Sequence, residues 1–445
     1  MLIVGKNMNY NVYNVRDYGA FPSDTLQTEN IQKAIDECFL NGGGKVIVPV
    51  GIYFVSCIRL RSNVTLYLES GAILKGVRDP DAYLCYKNDK IEPITEYAQD
   101  GVCGSVYPFS RWNNAIIRVI DAKNVSIIGE KGSYIDGSNC YDALGEEKYR
   151  GPHAVNIQNS ENIYLDGYNI VDSSNWAHAI FNSKNIEARN LTILGGHDGF
   201  DVRTCDNVLI ENCEFYTGDD CIAGFDNHDV VIRNCIFESS CSAMRFGGNN
   251  VLVENCKGLA PAKYGFRGHL SPEKKEKGAE TDENCRHNMH TTFNYYCDFR
   301  AVLRKTPGNI LVRNCEFINP DSVIRLEFDG KHQWCCNRSL AQIKFESCKF
   351  LGVNKPIYLY CDEKEPIDFT LENVEITARE GFENEHFLEA INYAAITLKN
   401  VKIGGYTDPT ALLKTEGKLE FTDTSEIKIE RAGEMGFQAN APITK

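Results

Sequence analysis

The chain has no uninterrupted apolar run near the roughly 20 residues that cross a bilayer. Its net charge of −14 is spread along the sequence without any basic block. The first absence argues against a membrane partner, the second against nucleic acid. Met1-Leu2-Ile3-Val4-Gly5-Lys6 offers no basic segment followed by an apolar stretch, so no export signal is expected and the location reads as cytoplasmic. Cysteine, 18 in 445 residues, is too sparse for a disulfide scaffold. In a reducing compartment these thiols read first as small buried hydrophobes. A hydrophobic content of 43% with 24% charge excludes simple disorder, collagen and coiled coil, and leaves material for a sizeable core.

What is present is repetition. An Asn, then alternating β-branched residues, then a second Asn often followed by Cys recurs as Asn162-Ile-Tyr-Leu, Asn185-Ile-Glu-Ala-Arg-Asn190, Asn207-Val-Leu-Ile-Glu-Asn212-Cys213, Asp229-Val-Val-Ile-Arg-Asn234-Cys235, Asn250-Val-Leu-Val-Glu-Asn255-Cys256 and Asn309-Ile-Leu-Val-Arg-Asn314-Cys315. Looser copies stand at Asn63, Asn124 and near Cys348, Asn373 and Asn400. A period near 22 built from short strands is too short for propeller blades and lacks the leucine pattern of leucine-rich repeats. It fits one coil of a parallel β-helix, each strand about 4.8 Å from its equivalent in the next coil. The expected fold is therefore all-β, one single-stranded parallel β-helix domain of ten or more turns over residues 1–445. Cys213, Cys235, Cys256, Cys315 and Cys348 should stack as one buried column. Asn212, Asn234, Asn255 and Asn314 should form an amide ladder at a turn, where Asn tolerates left-handed backbone.

A solenoid must cap its ends. Residues 28–39 place Ile31, Ala34, Ile35 and Cys38 at helical spacing after a Thr start, which predicts an amphipathic cap helix ended by Gly42-Gly43-Gly44. Where the period jumps, loops leave the coil, and the segment 257–308 reads as an inserted lid near the site.

Adding 22 to Asp198 gives Asp220, then Ser242 and Tyr264; adding it to Asp201 gives Ala223, Arg245 and Arg267. Asp219 adjoins Asp220, so three carboxylates gather on two adjacent coils beside arginines. Like charges stacked this closely should push at least one pKa upward. Glycoside hydrolysis needs such a set: one protonated carboxyl for the leaving oxygen and one carboxylate to activate water or attack the sugar. A calcium site and a plain acidic turn remain open from the same residues.

Asn14-Val-Arg-Asp17-Tyr-Gly-Ala20, Gly42-Gly-Gly-Lys-Val-Ile-Val-Pro49, Ile135-Asp-Gly137, Ser173-Ser-Asn-Trp176-Ala-His178, Asp198-Gly199 and Gly218-Asp219-Asp220 together resemble the ordered motifs of glycoside hydrolase family 28, the polygalacturonases. The resemblance runs from about residue 12 to about 256. It implies a right-handed parallel β-helix and inverting hydrolysis without a metal or other cofactor. It assigns Asp219 as general acid, with Asp198 and Asp220 activating the water. An inverting pair should stand roughly 6.5 to 9.5 Å apart.

Three motifs depart from the family. Its Asn-Thr-Asp is here Gly196-His197-Asp198, its Gly-His-Gly is Cys241-Ser242-Ala243, and its Arg-Ile-Lys is Arg267-Gly268-His269. A histidine and a lysine are thus missing. Arg245 could supply a replacement cation for a substrate carboxylate, with Arg267 retained and His197 or His269 standing in for the lost histidine. Trp176 and His178 resemble the family's substrate-binding wall residues, with Trp176 open between a sugar platform and an aromatic packed under a loop. Cys285, His287, His290 and Cys297, with His269, match no common zinc spacing and read as a polar lid with His287 or His290 reaching the substrate. The expected partner is an oligosaccharide, attacked from its end if loops close one side of the groove; the sequence sets no oligomeric state. A glycosidase for a neutral or non-pectic sugar, a polysaccharide lyase using an arginine base with Ca²⁺, and a non-catalytic solenoid are the competing readings.

Overall fold

The computed structural model describes residues 11–83, 114–140, 151–266, 285–297, 303–328, 335 and 338–432. Contacts divide the chain into two compact units, Met1–Asn175 with Ser183–Thr192, and Trp176–Asn182 with Ile193–Lys445. Both are built from parallel strands, and the fold class is the expected all-β, right-handed parallel β-helix with an amino-terminal helix.

In the first unit the helix runs Thr28–Leu40 and buries Ile31, Ala34, Ile35 and Cys38, the stripe that its spacing requires. It packs on the strands Gly44–Val48 and Ile58–Leu60. Thr28 does not cap it; its Oγ1 accepts a hydrogen bond from Ser56 N at 2.8 Å. The helix stops where Gly43 N closes on Cys38 O at 2.8 Å with φ +105°, a conformation that costs only glycine little.

Val64–Leu68, Lys123–Gly129, Glu161–Asp166 and Lys184–Arg189 follow in parallel register. Val46, Leu66, Ile127, Leu165 and Ala188 therefore stack as one column, each at 0% exposure. Each large member contributes about 1.5–3 kcal/mol by leaving water. At the turn before these strands Asn185 Nδ2 donates to Asn162 Oδ1 at 2.8 Å, Asn162 to Asn124 at 2.9 Å and Asn124 to Asn63 at 2.9 Å, all with φ between 55° and 62°. The repeat's first Asn thus builds an amide ladder that the sequence reading assigned only to its second.

In the second unit the expected column is present. Cys213, Cys235, Cys256, Cys315 and Cys348 are buried, no more than 2% exposed. Each Sγ donates to the carbonyl two residues back, at 3.2–3.3 Å. Asn212, Asn234, Asn255 and Asn314 hold φ of 53–55° at that turn, and Asn234 Nδ2 donates to Asn212 Oδ1 at 3.2 Å.

The active-side wall follows a register that arithmetic loses after residue 256. Asp201 pairs with Ala223 and Ala223 with Arg245, but Arg245 pairs with Asn294, followed by Arg325, Tyr358 and Glu389. Ser242 likewise pairs with Thr291, and Tyr264 instead accepts from Ser240 Oγ through its carbonyl at 2.5 Å. The physical reason is that segment 257–308 is not wholly inserted. Lys257–Leu259 and Thr291–Tyr295 are both rungs, with the excursion between them. Arg267 and His269 lie outside the described residues.

Candidate active site

The site lies within the second unit, at the bend that each coil makes between two strands. Asp198 follows Thr192–Gly195 and precedes Phe200–Arg203; Asp219 and Asp220 occupy the equivalent bend after Glu214–Thr217. Gly218 begins that bend because a side chain there would collide with the carbonyls of Gly196 and Gly265. The hydroxyls of Thr217 and Ser239 each donate to Asp219 O at 2.7 Å and fix the turn from its own coil and the next. Asp220 N donates to Asp198 Oδ1 at 3.2 Å and to Asp219 Oδ1 at 3.1 Å, so one amide gathers the outer carboxylate and the one on the preceding coil.

Burial separates the three. Asp198 and Asp220 are 1% exposed, whereas Asp219 is half-buried and reaches solvent. Arg245 spans the buried pair: its Nε donates to Asp220 Oδ2, its Nη2 stands 3.8 Å from Asp198 Oδ2, and its plane lies 4.4 Å from the Tyr296 ring centroid. Burial, then the charges of Asp219 and Asp220, hold the Asp198 carboxyl well above the usual carboxylate range, against the pull of Arg245. Burial also works against the Arg245 charge, but Asp220, Asp198 and Asp201 outweigh it and keep the guanidinium protonated. Asp198 Oδ2 and Asp220 Oδ1 make no hydrogen bond among the described residues.

Other expected site residues take different positions. Trp176 is 2% exposed and lies beneath Arg203, whose guanidinium is 4.8 Å from its ring and is paired with fully buried Asp201. His178 is fully buried, stacks on Phe200 at 4.1 Å, and is pushed down to about 3 by burial. Both pack inside the wall: His178 points inward from the strand His178–Phe181, and Trp176, on the bend before that strand, lies under Arg203. His197 is 4% exposed. Arg245, expected to grip a substrate carboxylate, is occupied by Asp220 and Asp198.

The lid residues make no metal cluster among those described. His287 Nδ1 is 2.8 Å from Ala262 O, His290 Nε2 is 3.1 Å from Arg286 Nη1, and Cys297 bridges to Cys335 through the backbone. Asp219, Asp220 and Cys241 do bring one ligand atom each within 4.8 Å. Burial and the two aspartates push the Cys241 thiol well up, so it stays protonated, and a thiol is a poor partner for the hard cations that carboxylates hold. The same 4.8 Å approach is shorter than the gap expected of an inverting pair, because Asp219 and Asp220 are neighbours on one bend. Tyr296 and Arg286 went unnoticed in the sequence; Arg286 lies in the excursion and Tyr296 directly after the rung that ends it, where the period gives no guide.

The Glycosyl hydrolases family 28 model matches residues 102–241. A probable polygalacturonase of Vitis vinifera is 26% identical over 227 residues, 48% of this chain and 44% of that protein. An exo-poly-alpha-D-galacturonosidase of Dickeya chrysanthemi is 25% identical over 250 residues, 47% and 41% of the two. The chain thus spans less than half the length of these curated relatives. A hyperthermoactive exopolygalacturonase structure from Thermotoga maritima superposes with TM-score 0.63 at 19% identity, covering 89% of this chain and 92% of that one. The ordered motifs, the coil with its aspartate bend, and these likenesses agree, and the chain is similar to the polygalacturonase-like proteins of glycosyl hydrolases family 28.

Proposed function

We propose that the protein is an inverting glycoside hydrolase that removes units from the ends of pectin-derived, uronic-acid-containing oligosaccharides. One observation carries the reading. Two carboxylates on adjacent coils are buried, clamped by one arginine, and each keeps an acceptor oxygen, Asp198 Oδ2 and Asp220 Oδ1, without a hydrogen bond among the described residues, beside a third carboxylate that reaches solvent. Unpartnered buried acceptors are costly, and a water molecule supplies two protons that satisfy both. In the reading, Asp219 donates its proton to the glycosidic oxygen as the bond breaks. The held water gives its proton to the Asp198–Asp220 pair as its oxygen attacks the anomeric carbon. The relatives that carry exopolygalacturonase names support the substrate class and the mode of attack. The free thiols of the described cysteines support work in a reducing, cytoplasmic setting.

The test is purified protein on defined uronides and neutral glycosides, with product anomers followed by NMR. Inversion with monomer release is expected. Retention, which the short Asp219–Asp220 approach would suit, sinks the inverting assignment. Early internal fragments sink the exo assignment, and ultraviolet-absorbing unsaturated products would mean elimination. Cleavage of neutral glycosides alone would overturn the uronide.

A further inference from the structure

Beyond the aspartates the wall continues toward the carboxyl end and carries the cations Arg286 and Lys355. From Asp220 the rungs run Ser242, Thr291, Ser322 and then Lys355, whose amide donates to Asp321 O at 2.8 Å. Four rungs at about 4.8 Å place Lys355 about 19 Å from Asp220 along the wall. Arg286 lies between them. Its Nε donates to Ser240 O at 3.0 Å, its Nη1 meets His290, and its plane covers Phe266 at 4.2 Å. No carboxylate among the described residues comes within ion-pair distance of Arg286.

Lys355 is also under-compensated. Its one ion pair among the described residues is with Asp321, at 3.9 Å, and Asp321 already accepts from Asn288 Nδ2 and stands 3.5 Å from Arg379 Nη1. Arg325, on the next rung of the outward column, is taken up by Glu327 at 2.9 and 3.1 Å. The Lys355 ammonium is held down first by burial and then by the repulsion of Arg325 and Arg286, against the pull of Asp321. Its side chain is 40% exposed, so it can reach a ligand. A cleft of about 260 Å³ opens beside Asp321, lined by Ala260, Pro261, Asn288, Asn319 and Arg379.

We infer that Lys355 and Arg286 form a distal carboxylate subsite, which binds an acidic sugar of the same chain several units from the bond cleaved at Asp219. The inference rests on the hydrolase reading for the chain that occupies it. An incoming carboxylate would relieve the mutual repulsion of the cations, and the subsite sits far enough from the aspartates to be reached only by longer oligomers.

The test compares wild type with Lys355→Met, Arg286→Met and Lys355→Arg on uronic-acid oligomers of two to five units. The ratio of kcat/KM for the longest to that for the shortest should fall about tenfold in each Met variant, the effect of one lost charged contact. Lys355→Arg should keep most of the ratio. A loss that is equal at every length, or no loss, overturns the subsite. Binding of a five-unit oligomer to Asp219→Asn by calorimetry separates the two ideas. If wild type cleaves no uronide, the hydrolase reading fails by itself. Weaker binding by Lys355→Met in that background would still support the subsite, and unchanged binding would overturn it.

Discussion

Replacing Arg245 with Gln removes the one cation that opposes protonation of Asp198. The separation is 3.8 Å, and at an effective dielectric near 20 a unit charge at about 4 Å is worth about 4 kcal/mol, or roughly three pK units. The Arg245 side chain is 18% exposed, and this access to water trims the effect to a shift of about one to three pH units. The direction follows from the environment. Burial, Asp219 and Asp220 already hold the Asp198 carboxyl high, so without Arg245 it rises further, and under the proposed role Asp198 stays protonated at pH values where wild type accepts the water's proton. The acidic limb of a kcat/KM profile on a uronic-acid oligomer should therefore move to higher pH in Arg245→Gln, with Arg245→Lys in between. Stability should respond in the same window. A carboxyl with a raised folded pKa loses stability as pH rises from its free value toward the folded one, so the variant's deficit relative to wild type in urea should be larger at pH 8 than at pH 5. A profile that keeps its position while activity drops by a constant factor would refute the clamp and leave Arg245 as packing alone.

Asp219→Asn should, under the proposed roles, lower kcat by at least about a hundredfold with little change in unfolding midpoint, since it removes the proton donor while its amide oxygen can still accept from Asp220 N. His178 is held neutral down to about 3, so wild type should lose stability as pH falls below about 6.5, by about 2 kcal/mol at pH 5. His178→Phe should flatten that dependence in urea titrations, and an unchanged slope would point to another group. Asn162→Ala breaks two rungs of the amide ladder and puts alanine at φ 59°, for a loss of about 2–4 kcal/mol by chemical denaturation. Cys235→Ala should cost about 1–2 kcal/mol through the lost sulfur contacts, whereas Cys241→Ala, off the column, should cost less.

The coil was legible because its side chains repeat where its backbone repeats. Cysteines at one spacing must share one environment, and the structure puts them in a single buried column. The aspartate bend was legible for the same reason: 22 residues separate Asp198 from Asp220, one coil. Legibility ended where the chain leaves the wall. The neighbour of Arg245 is Asn294 and not Arg267, because a loop of arbitrary length lies between the rungs and no period survives it. Trp176 and His178 sit in a motif that carries the site in the family; the burial of Trp176 matches its packed alternative, and His178 points inward from its strand. Lys355 and Arg286 belong to no repeat position that marks them, and only the register brings them onto one wall.

The amide ladders make whole coils the natural unit of change in this chain. Asn400 Nδ2 donates to Asn373 Oδ1 at 2.8 Å, and Val374 and Val401 follow them at equivalent, buried places. Excising residues 374–400 would join Asn373 to Val401 with the side-chain order intact, whereas removing one residue fewer would turn the inward face outward over the next strand. The wall can therefore lengthen or shorten by entire turns, and with it the stretch that lies beyond the aspartates, without altering the bend itself.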